Sequence, residues 1–129
     1  MQAVLFYTMS IEATSSLPSV ALSPNDVSQR KAPSLEAVCL ANRSACFLKL
    51  GHHDKALSDA SSCVELDPGY IKGHFRKGLA LHAQGSYKDA ITSFAEAKKI
   101  EPKNKQVKDA MKFSEVKFEK EMRQRMQAV

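Results

Sequence analysis

No stretch of this sequence is apolar for the length that a membrane-spanning helix requires, so the sequence predicts no such helix. The first residues, as far as Tyr7, also lack the basic segment that opens a secretory signal peptide. Glu12 then interrupts the apolar stretch that follows. We therefore expect neither a signal peptide nor a membrane partner for this chain.

Cysteine is scarce, and its pattern argues against disulfide chemistry. The chain has three cysteines, Cys39, Cys46 and Cys63, which cannot all pair within one molecule, and none lies in a CxxC motif. Without a secretory context, reduced thiols fit best. The sequence predicts buried structural thiols in a cytoplasmic protein, with the nucleus as the alternative compartment.

The short motifs of catalysis and metal binding are missing too. The sequence has no GxSxG, P-loop or HExxH motif, and no serine or cysteine has a convincing base partner. His52 and His53 are adjacent at an expected turn, without a carboxylate or thiol at ligand spacing. We therefore predict that the protein is not an enzyme and uses no metal and no cofactor.

The charge balance is modestly basic. The formal net charge is +5, which suits an acidic partner but is no nucleic-acid signature by itself. The tail over 103–129 carries eight basic residues interleaved with four acidic ones. This interleaving argues against a nucleic-acid site and against an anionic membrane, and it favours a solvated or partner-binding helix.

An internal repeat of 34 residues dominates what the sequence does contain. Shifting the chain by that period overlays small, apolar and proline positions of one unit on those of the next, namely Gly51 on Gly85, Ala56 on Ala90, Leu57 on Ile91, Leu66 on Ile100 and Pro68 on Pro102. Small residues let two helices approach closely, glycine ends a helix, and proline closes one. The period therefore predicts a repeated helix-turn-helix.

Local patterns support helices. Ser86 with Asp89 resembles a capping box, and Ala90, Phe94 and Ala97 follow at helical spacing. No alternating apolar pattern is bounded by hairpin turns, so strands are not expected. The sequence predicts an all-α protein.

The stretch over 71–104 resembles the tetratricopeptide-repeat (TPR) consensus, since the family's positions are occupied by Gly78, Gly85, Tyr87, Ala90, Phe94, Ala97 and Pro102. Residues 37–70 match less fully, through Ser44, Phe47, Gly51, Ala56 and Pro68. His74, Lys77 and Arg43 depart from it, because the family usually has an aromatic residue at the first position and leucine at the other two. The resemblance implies helix-turn-helix repeats in a right-handed superhelical array.

These signals predict five segments. They are the second helix of an incomplete first repeat over 1–13, a Ser/Pro-rich inserted loop over 14–33, repeats over 34–70 and 71–104, and a capping and extension helix over 105–129. The capping helix has an approximate apolar stripe, made of Val107, Met111, Phe118, Met122 and Met126. With so few repeats we expect marginal stability, or self-association through the exposed N-terminal helix.

Three polar residues stand out on the predicted first helices, which line the concave side of such arrays. Lys72 and Arg76 are four residues apart, so they project from one helix face, and Asn42 occupies the place of Arg76 one repeat earlier. Two like charges at this spacing cost roughly 0.2–0.5 kcal/mol, which makes them a candidate anion site. A solvated basic face is the alternative interpretation.

These residues resemble the carboxylate clamp of TPR co-chaperones, which binds acidic Glu-Glu-Val-Asp tails of cytosolic heat-shock chaperones. The resemblance implies that Asn42, Lys72 and Arg76 bind the peptide carboxylates. The groove would be flanked by Arg43, Phe75 and Lys77. The family's clamp also uses a helix that precedes Met1 in this numbering, so we expect a half clamp. The alternative function is a generic TPR scaffold that holds a subunit of a larger complex.

Overall fold

A computed structural model of the chain describes residues 32–127, and every regular element among them is an α-helix. There are five, α1 (Leu35–Lys49), α2 (His53–Leu66), α3 (Ile71–Ala83), α4 (Tyr87–Ile100) and α5 (Lys105–Gln127). The all-α prediction is confirmed for this part of the chain. The predicted helix over 1–13 and all but the end of the loop over 14–33 lie outside the described residues.

Two glycines set the turns within the helix pairs. Gly51 between α1 and α2 has φ of 80°, and Gly85 between α3 and α4 has φ of 84°. This left-handed backbone is strained for residues with a Cβ and free for glycine. In each turn a residue next to the glycine closes a second hydrogen bond, since the amides of His52 and Ser86 donate to Phe47 and Leu81. The 34-residue period in the sequence therefore corresponds to an identical turn.

The helix starts do not all follow the expected capping pattern. Ser34 has extended backbone, and its side-chain oxygen accepts from the amide of Ala37 at 3.1 Å. Ser86 is also an N-cap residue, but its backbone has ψ of 66° and its side chain makes no capping hydrogen bond. The predicted capping box of Ser86 and Asp89 is therefore wrong, because the tight glycine turn before α4 leaves Ser86 outside the extended geometry that capping needs.

Small side chains hold each pair of helices together. Seven alanines of the described residues are completely buried, namely Ala37, Ala41, Ala56, Ala60, Ala80, Ala90 and Ala97. Two apolar clusters form around them, one between α1 and α2 and one among α3, α4 and α5. Tyr70 packs against the first cluster, and Val107 of α5 belongs to the second. The clusters join consecutive pairs, as a stacked array requires.

The contact between the two helices of a pair is built from residues of different size in the two pairs. In the second pair Gly78 faces the buried ring of Phe94, and a Cβ at residue 78 would lie 2.5 Å from that ring. One period earlier stand Ser44 and Ala60, both fully buried, with the Ser44 hydroxyl donating to Ala56 O at 2.7 Å. The large Phe94 thus faces glycine in the second pair, whereas the small Ala60 stands at the equivalent place of the first pair, where Ser44 replaces the glycine.

The thiols are structural in the described residues. Cys39 and Cys63 are buried and Cys46 is half-buried, and none of the three forms a disulfide within residues 32–127. Burial, reinforced by the charge of Asp67, raises the pKa of Cys63 to about 11, and its thiol donates to Ala37 O at 3.2 Å. A thiol with so high a pKa is a poor nucleophile. The prediction of buried structural thiols is confirmed for Cys39 and Cys63.

The last helix caps the array and then extends past it. Val107 and Ser114 are buried against the body, whereas Met122 is 40% exposed and Met126 is 77% exposed. The predicted apolar stripe of α5 therefore packs only in its first half. The Nδ1 atom of His82 lies 2.9 Å from the Ser114 hydroxyl and ties α5 to α3.

This junction gives a pH prediction. Burial, and then the charge of Lys117, lowers the pKa of His82 below its ordinary value of 6.5. The unfolded chain therefore binds a proton more readily, so this contribution to stability is complete above the ordinary pKa and is lost as pH falls below about 6.5. We expect the urea midpoint of the wild type to fall more between about pH 7.5 and pH 5 than that of His82→Gln. Equal falls would contradict the prediction, and His52→Gln, at an exposed site, is the control.

Candidate functional site

The first helices of the two pairs lie side by side. Helix α1 contacts α3, and α3 in turn contacts α5, in addition to the contacts within each pair. These three helices therefore form a continuous wall, called the inner wall below. The sequence-predicted binding residues lie on its first two helices, since Asn42 belongs to α1 and Lys72 and Arg76 belong to α3.

Arg76 has the most unusual environment of the three. It is half-buried, and its guanidinium carbon lies 5.9 Å from the centre of the Phe75 ring. Its Nε atom is buried and has no hydrogen-bond partner among the described residues. A buried donor without a partner is costly, by roughly 1–3 kcal/mol or more for a charged group. Arg76 therefore lies against Phe75 with one buried donor that no group of residues 32–127 satisfies.

The pKa of Tyr70 shows that the positive charge of Arg76 lies nearby. Burial raises the pKa of the Tyr70 hydroxyl, and the charge of Cys63 raises it further, while the positive charge of Arg76 acts in the opposite direction. Tyr70 also packs against the cluster that contains Leu40 and Ala41 of α1. The guanidinium of Arg76 is thus close to the junction of α1 and α3.

Lys72 and Asn42 differ in exposure. Lys72 is exposed one helical turn before Arg76, and Asn42 is half-buried at the equivalent place of α1. Neither Lys72 nor Arg76 takes part in any of the ion pairs found in residues 32–127, which join Arg43 to Asp59, Lys99 to Glu96 and Arg125 to Glu121. The wall therefore carries positive charge that no acidic side chain of this region pairs.

Arg43, which the sequence predicts beside the groove, forms an ion pair with a residue of the next helix. Its Nε and a terminal nitrogen bind the two carboxylate oxygens of Asp59 on α2, at 2.7 and 2.6 Å. The hydrogen bond to Asp59 raises the pKa of Arg43 against the opposing effect of burial. This bidentate pair joins α1 to α2 and gives Arg43 a structural role, while its place beside the groove stays a prediction. Sequence reasoning missed Asp59, whose only signal was an acidic residue where Ser93 stands one period later.

The other two flanking residues differ from each other. Phe75 is half-buried and its ring centre is 5.8 Å from that of Phe94, so it contributes to packing as well as to the wall. Lys77 is half-buried at the place that Arg43 has one period earlier. The residue that corresponds to Asp59 in this pair is Ser93, which offers no carboxylate.

The histidines form no ligand set in the part of the chain that the structure describes. No group of three or more histidine, cysteine or acidic side chains there is arranged to hold a metal ion. His74 Nε2 lies 2.7 Å from Pro68 O, and His82 is bound to Ser114. His52 and His53 stand at the start of α2, the turn where the sequence places them.

Within residues 32–127 no helix combines the length and the apolar character that crossing a membrane requires.

Comparison with known proteins identifies one repeat of this architecture by its sequence. Residues 71–104 match the family model described as tetratricopeptide repeat. Hsp70-Hsp90 organizing protein 3 of Arabidopsis thaliana is 39% identical over 72 residues, which are 56% of this chain and 13% of that protein. The chain thus matches only a small part of this relative.

Solved structures with a similar fold are also TPR domains. The Arabidopsis OM64 TPR domain is 28% identical, with a TM-score of 0.68 over 88% of this chain and 78% of that one. The second TPR domain of human RPAP3, solved with the HSP70 peptide SGPTIEEVD, is 24% identical with a TM-score of 0.67, over 87% and 78%, and shows a shared fold. Residues 71–104 therefore match a tetratricopeptide repeat, and the chain shares the fold of tetratricopeptide-repeat domains.

Proposed function

We propose that this domain is an adaptor that binds the acidic C-terminal tail of a cytosolic heat-shock chaperone on its inner wall. Asn42, Lys72 and Arg76 are the proposed contacts. The proposal is supported by the likeness to a relative named for organizing Hsp70 and Hsp90, and by the clamp-like residues of α1 and α3. The proposed activity is binding without catalysis or a cofactor, and the proposed compartment is the cytosol.

The observation that carries the proposal is the state of Arg76. Packing on Phe75 fixes the guanidinium, its buried Nε has no partner within residues 32–127, and exposed Lys72 stands one turn away. A carboxylate bound between Lys72 and the accessible part of the half-buried Arg76 guanidinium would reduce the repulsion between two neighbouring positive charges. Capture of a chain-terminal carboxylate is a recurring mode of peptide recognition.

The magnitudes predict modest affinity. A charge-assisted hydrogen bond contributes about 1.5–3 kcal/mol, so contacts from three side chains can support a complex in the micromolar range. Binding through these three side chains should therefore be measurable but weak.

The test is a titration with a Glu-Glu-Val-Asp peptide, followed by calorimetry or fluorescence anisotropy. We expect Arg76→Met and Lys72→Ala to weaken binding by about tenfold or more, since each removes a charged contact. Amidation of the peptide's C-terminus should weaken it similarly, because the amide removes the negative charge. Binding should also weaken with added salt.

The matched control is Lys88→Ala. Lys88 is exposed in the first turn of α4, outside the inner wall, and its loss removes the same charge. Circular dichroism of each variant checks that the helices remain. Equal binding by the wild type, Arg76→Met and Lys72→Ala, or indifference to amidation, would reject the proposal.

A second function is favoured by the end of α5. Met122 and Met126 are exposed where the helix extends past the body, and such a surface suits a scaffold that holds another subunit. This alternative predicts partner binding that is insensitive to Lys72 and Arg76 but lost when residues from Glu115 onward are removed. Retained binding after that truncation would exclude it.

A further inference from the structure

The last helix has one face that nothing in residues 32–127 covers. Helix α5 packs on α3 and α4 through the side that carries Val107 and Ser114, both of which are buried. The residues of the opposite side recur at helical spacing, and all of them are exposed. We call them the outer face of α5, namely Asp109, Lys112, Phe113, Val116, Glu119, Lys120 and Arg123.

The centre of the outer face is apolar. Phe113 is 55% exposed and Val116 is 54% exposed, one helical turn apart. The centre of the Phe113 ring lies 5.0 Å from that of the His82 ring and 5.5 Å from the Lys117 ammonium, so contacts within the domain orient the ring. Covering two adjacent apolar side chains of this size removes their surface from water, which favours association.

The charges of the outer face are unpaired within the part of the chain that the structure describes. None of its charged side chains belongs to the ion pairs found there. Going outward from Val116, the signs are positive then negative toward the start of α5, at Lys112 and Asp109. Toward the end of α5 they are negative then positive, at Glu119 and Arg123. The pattern therefore reverses in sign about Val116.

An antiparallel pair of such helices brings unlike charges together. With Val116 on a two-fold axis, the residue seven positions before it lies opposite the residue seven positions after it in the second copy, which joins Asp109 to Arg123. Lys112 meets Glu119 of the second copy on one side of the same contact. Symmetry repeats each of these contacts, so the face is complementary to itself.

The remaining residues of the outer face fit the same arrangement. Val116 packs on its own copy at the axis, and Phe113 lies opposite Lys120 of the second copy, where a cation can sit over the ring. A parallel pair would instead place every charged residue beside its own copy, and like charges would repel along the whole face. The charge order therefore favours an antiparallel second copy.

We propose that the outer face of α5 binds the same face of a second copy of this chain, antiparallel, to form a two-fold symmetric dimer. The bodies of the two copies lie on the outer sides of the helix pair, because the outer face is opposite the side of α5 that packs on the body. The contact uses none of the proposed clamp residues, so it goes beyond the proposed function and does not depend on it. It also differs from self-association through the N-terminal helix, which the sequence predicts.

The size of the contact predicts a weak dimer. The outer face covers about 21 Å of helix at about 1.5 Å per residue. One helix from each copy buries less than the roughly 1,600 Å² of a standard interface. We therefore expect a dissociation constant of roughly 10–100 µM for the full chain, measured by sedimentation equilibrium at low salt across concentrations that bracket this range.

Val116→Asp tests the axis of the dimer. The exposed site tolerates the change in the monomer, but in the dimer two carboxylates would face each other, so we expect the dissociation constant to rise about a hundredfold. Met126→Asp is the matched control, since Met126 is 77% exposed on the same helix beyond the outer face, and its dissociation constant should equal that of the wild type. Circular dichroism checks that each variant is folded.

Charge exchange tests the orientation, and it holds even where Val116→Asp fails to fold. Arg123→Glu and Asp109→Lys should each raise the dissociation constant about tenfold, because symmetry makes each reversal alter two ion pairs. The double variant exchanges the two charges, so unlike charges face each other again and the wild-type affinity should return. Lys98→Glu, at an exposed site of α4, reverses a charge outside the contact and should have no effect.

Three results would overturn the proposal. The first is a wild type that stays monomeric at the highest concentration, and the second is a dimer that Val116→Asp leaves intact, which would place self-association on another surface. The third is a double charge variant that associates no better than its single parents, since the antiparallel register requires the rescue.

Discussion

Replacing Arg43 by methionine should lower the free energy of unfolding by about 3 kcal/mol, because it leaves the carboxylate of Asp59 buried without its partner. The Asp59 side chain is only 8% exposed, whereas that of Arg43 is 20% exposed. We therefore expect the lower end of the roughly 3–5 kcal/mol found when a buried pair loses one member. Urea unfolding followed by circular dichroism measures the change.

Two controls separate the loss of the pair from the loss of a surface charge. Lys99→Met breaks the exposed pair with Glu96, whose side chains are 73% and 47% exposed, and should cost less than about 0.5 kcal/mol. The double variant Arg43→Met, Asp59→Leu removes both charges and should recover most of the stability, since an apolar pair can replace a buried ion pair. If Arg43→Met lowered the free energy of unfolding no more than Lys99→Met, the Arg43–Asp59 pair would not stabilise the fold.

Replacing Phe94 by alanine should cost about 3–5 kcal/mol, because the ring is 1% exposed at the centre of the second cluster and leaves a cavity behind. The same ring decides what residue 78 can be. Gly78→Ala should destabilise the wild type by about 1–3 kcal/mol through overpacking, since the new Cβ would lie 2.5 Å from the ring. Thermal and urea midpoints measure both variants.

The effect of Gly78→Ala on stability should change sign once the Phe94 ring is removed. In the Phe94→Ala background the clash disappears, and Gly78→Ala should stabilise the helix by about 1 kcal/mol through propensity alone. The fully buried Ser44 and Ala60 of the preceding pair show that a side chain is accommodated where the facing residue is small. A stabilising effect of Gly78→Ala in both backgrounds would mean that Phe94 moves aside freely, contrary to this account.

The Arg43–Asp59 pair and the Gly78–Phe94 contact also show what a sequence period cannot predict. The period of 34 residues fixes the turns, because only glycine adopts the backbone of Gly51 and Gly85 without strain. The same period aligns Arg43 with Lys77, yet only Arg43 meets a carboxylate, because the facing residues are Asp59 and Ser93. The rotation of each helix about its axis decides which side chain of the next helix faces a given residue. The period does not predict this rotation.

The candidate site divides in the same way. Helical spacing alone predicts that Lys72 and Arg76 share a face, and the 34-residue period adds Asn42 at the place of Arg76 one repeat earlier. The unpartnered Nε of Arg76 could not have been predicted, since it arises where separate helices meet. Convergence of the three side chains on one ligand stays a prediction for the peptide titration to test.

By itself the sequence determined that the described chain is helical, where its two glycine turns fall and which helix carries the paired cations. Local backbone preferences and a regular period suffice for that, because they act between residues close in the chain. Only the tertiary structure decided that Arg43 pairs with Asp59, that Ser86 does not cap its helix and which face of α5 stays exposed. These features depend on how neighbouring helices rotate and pack, and on backbone angles that the adjoining turns set, so they appear only when the helices are in contact.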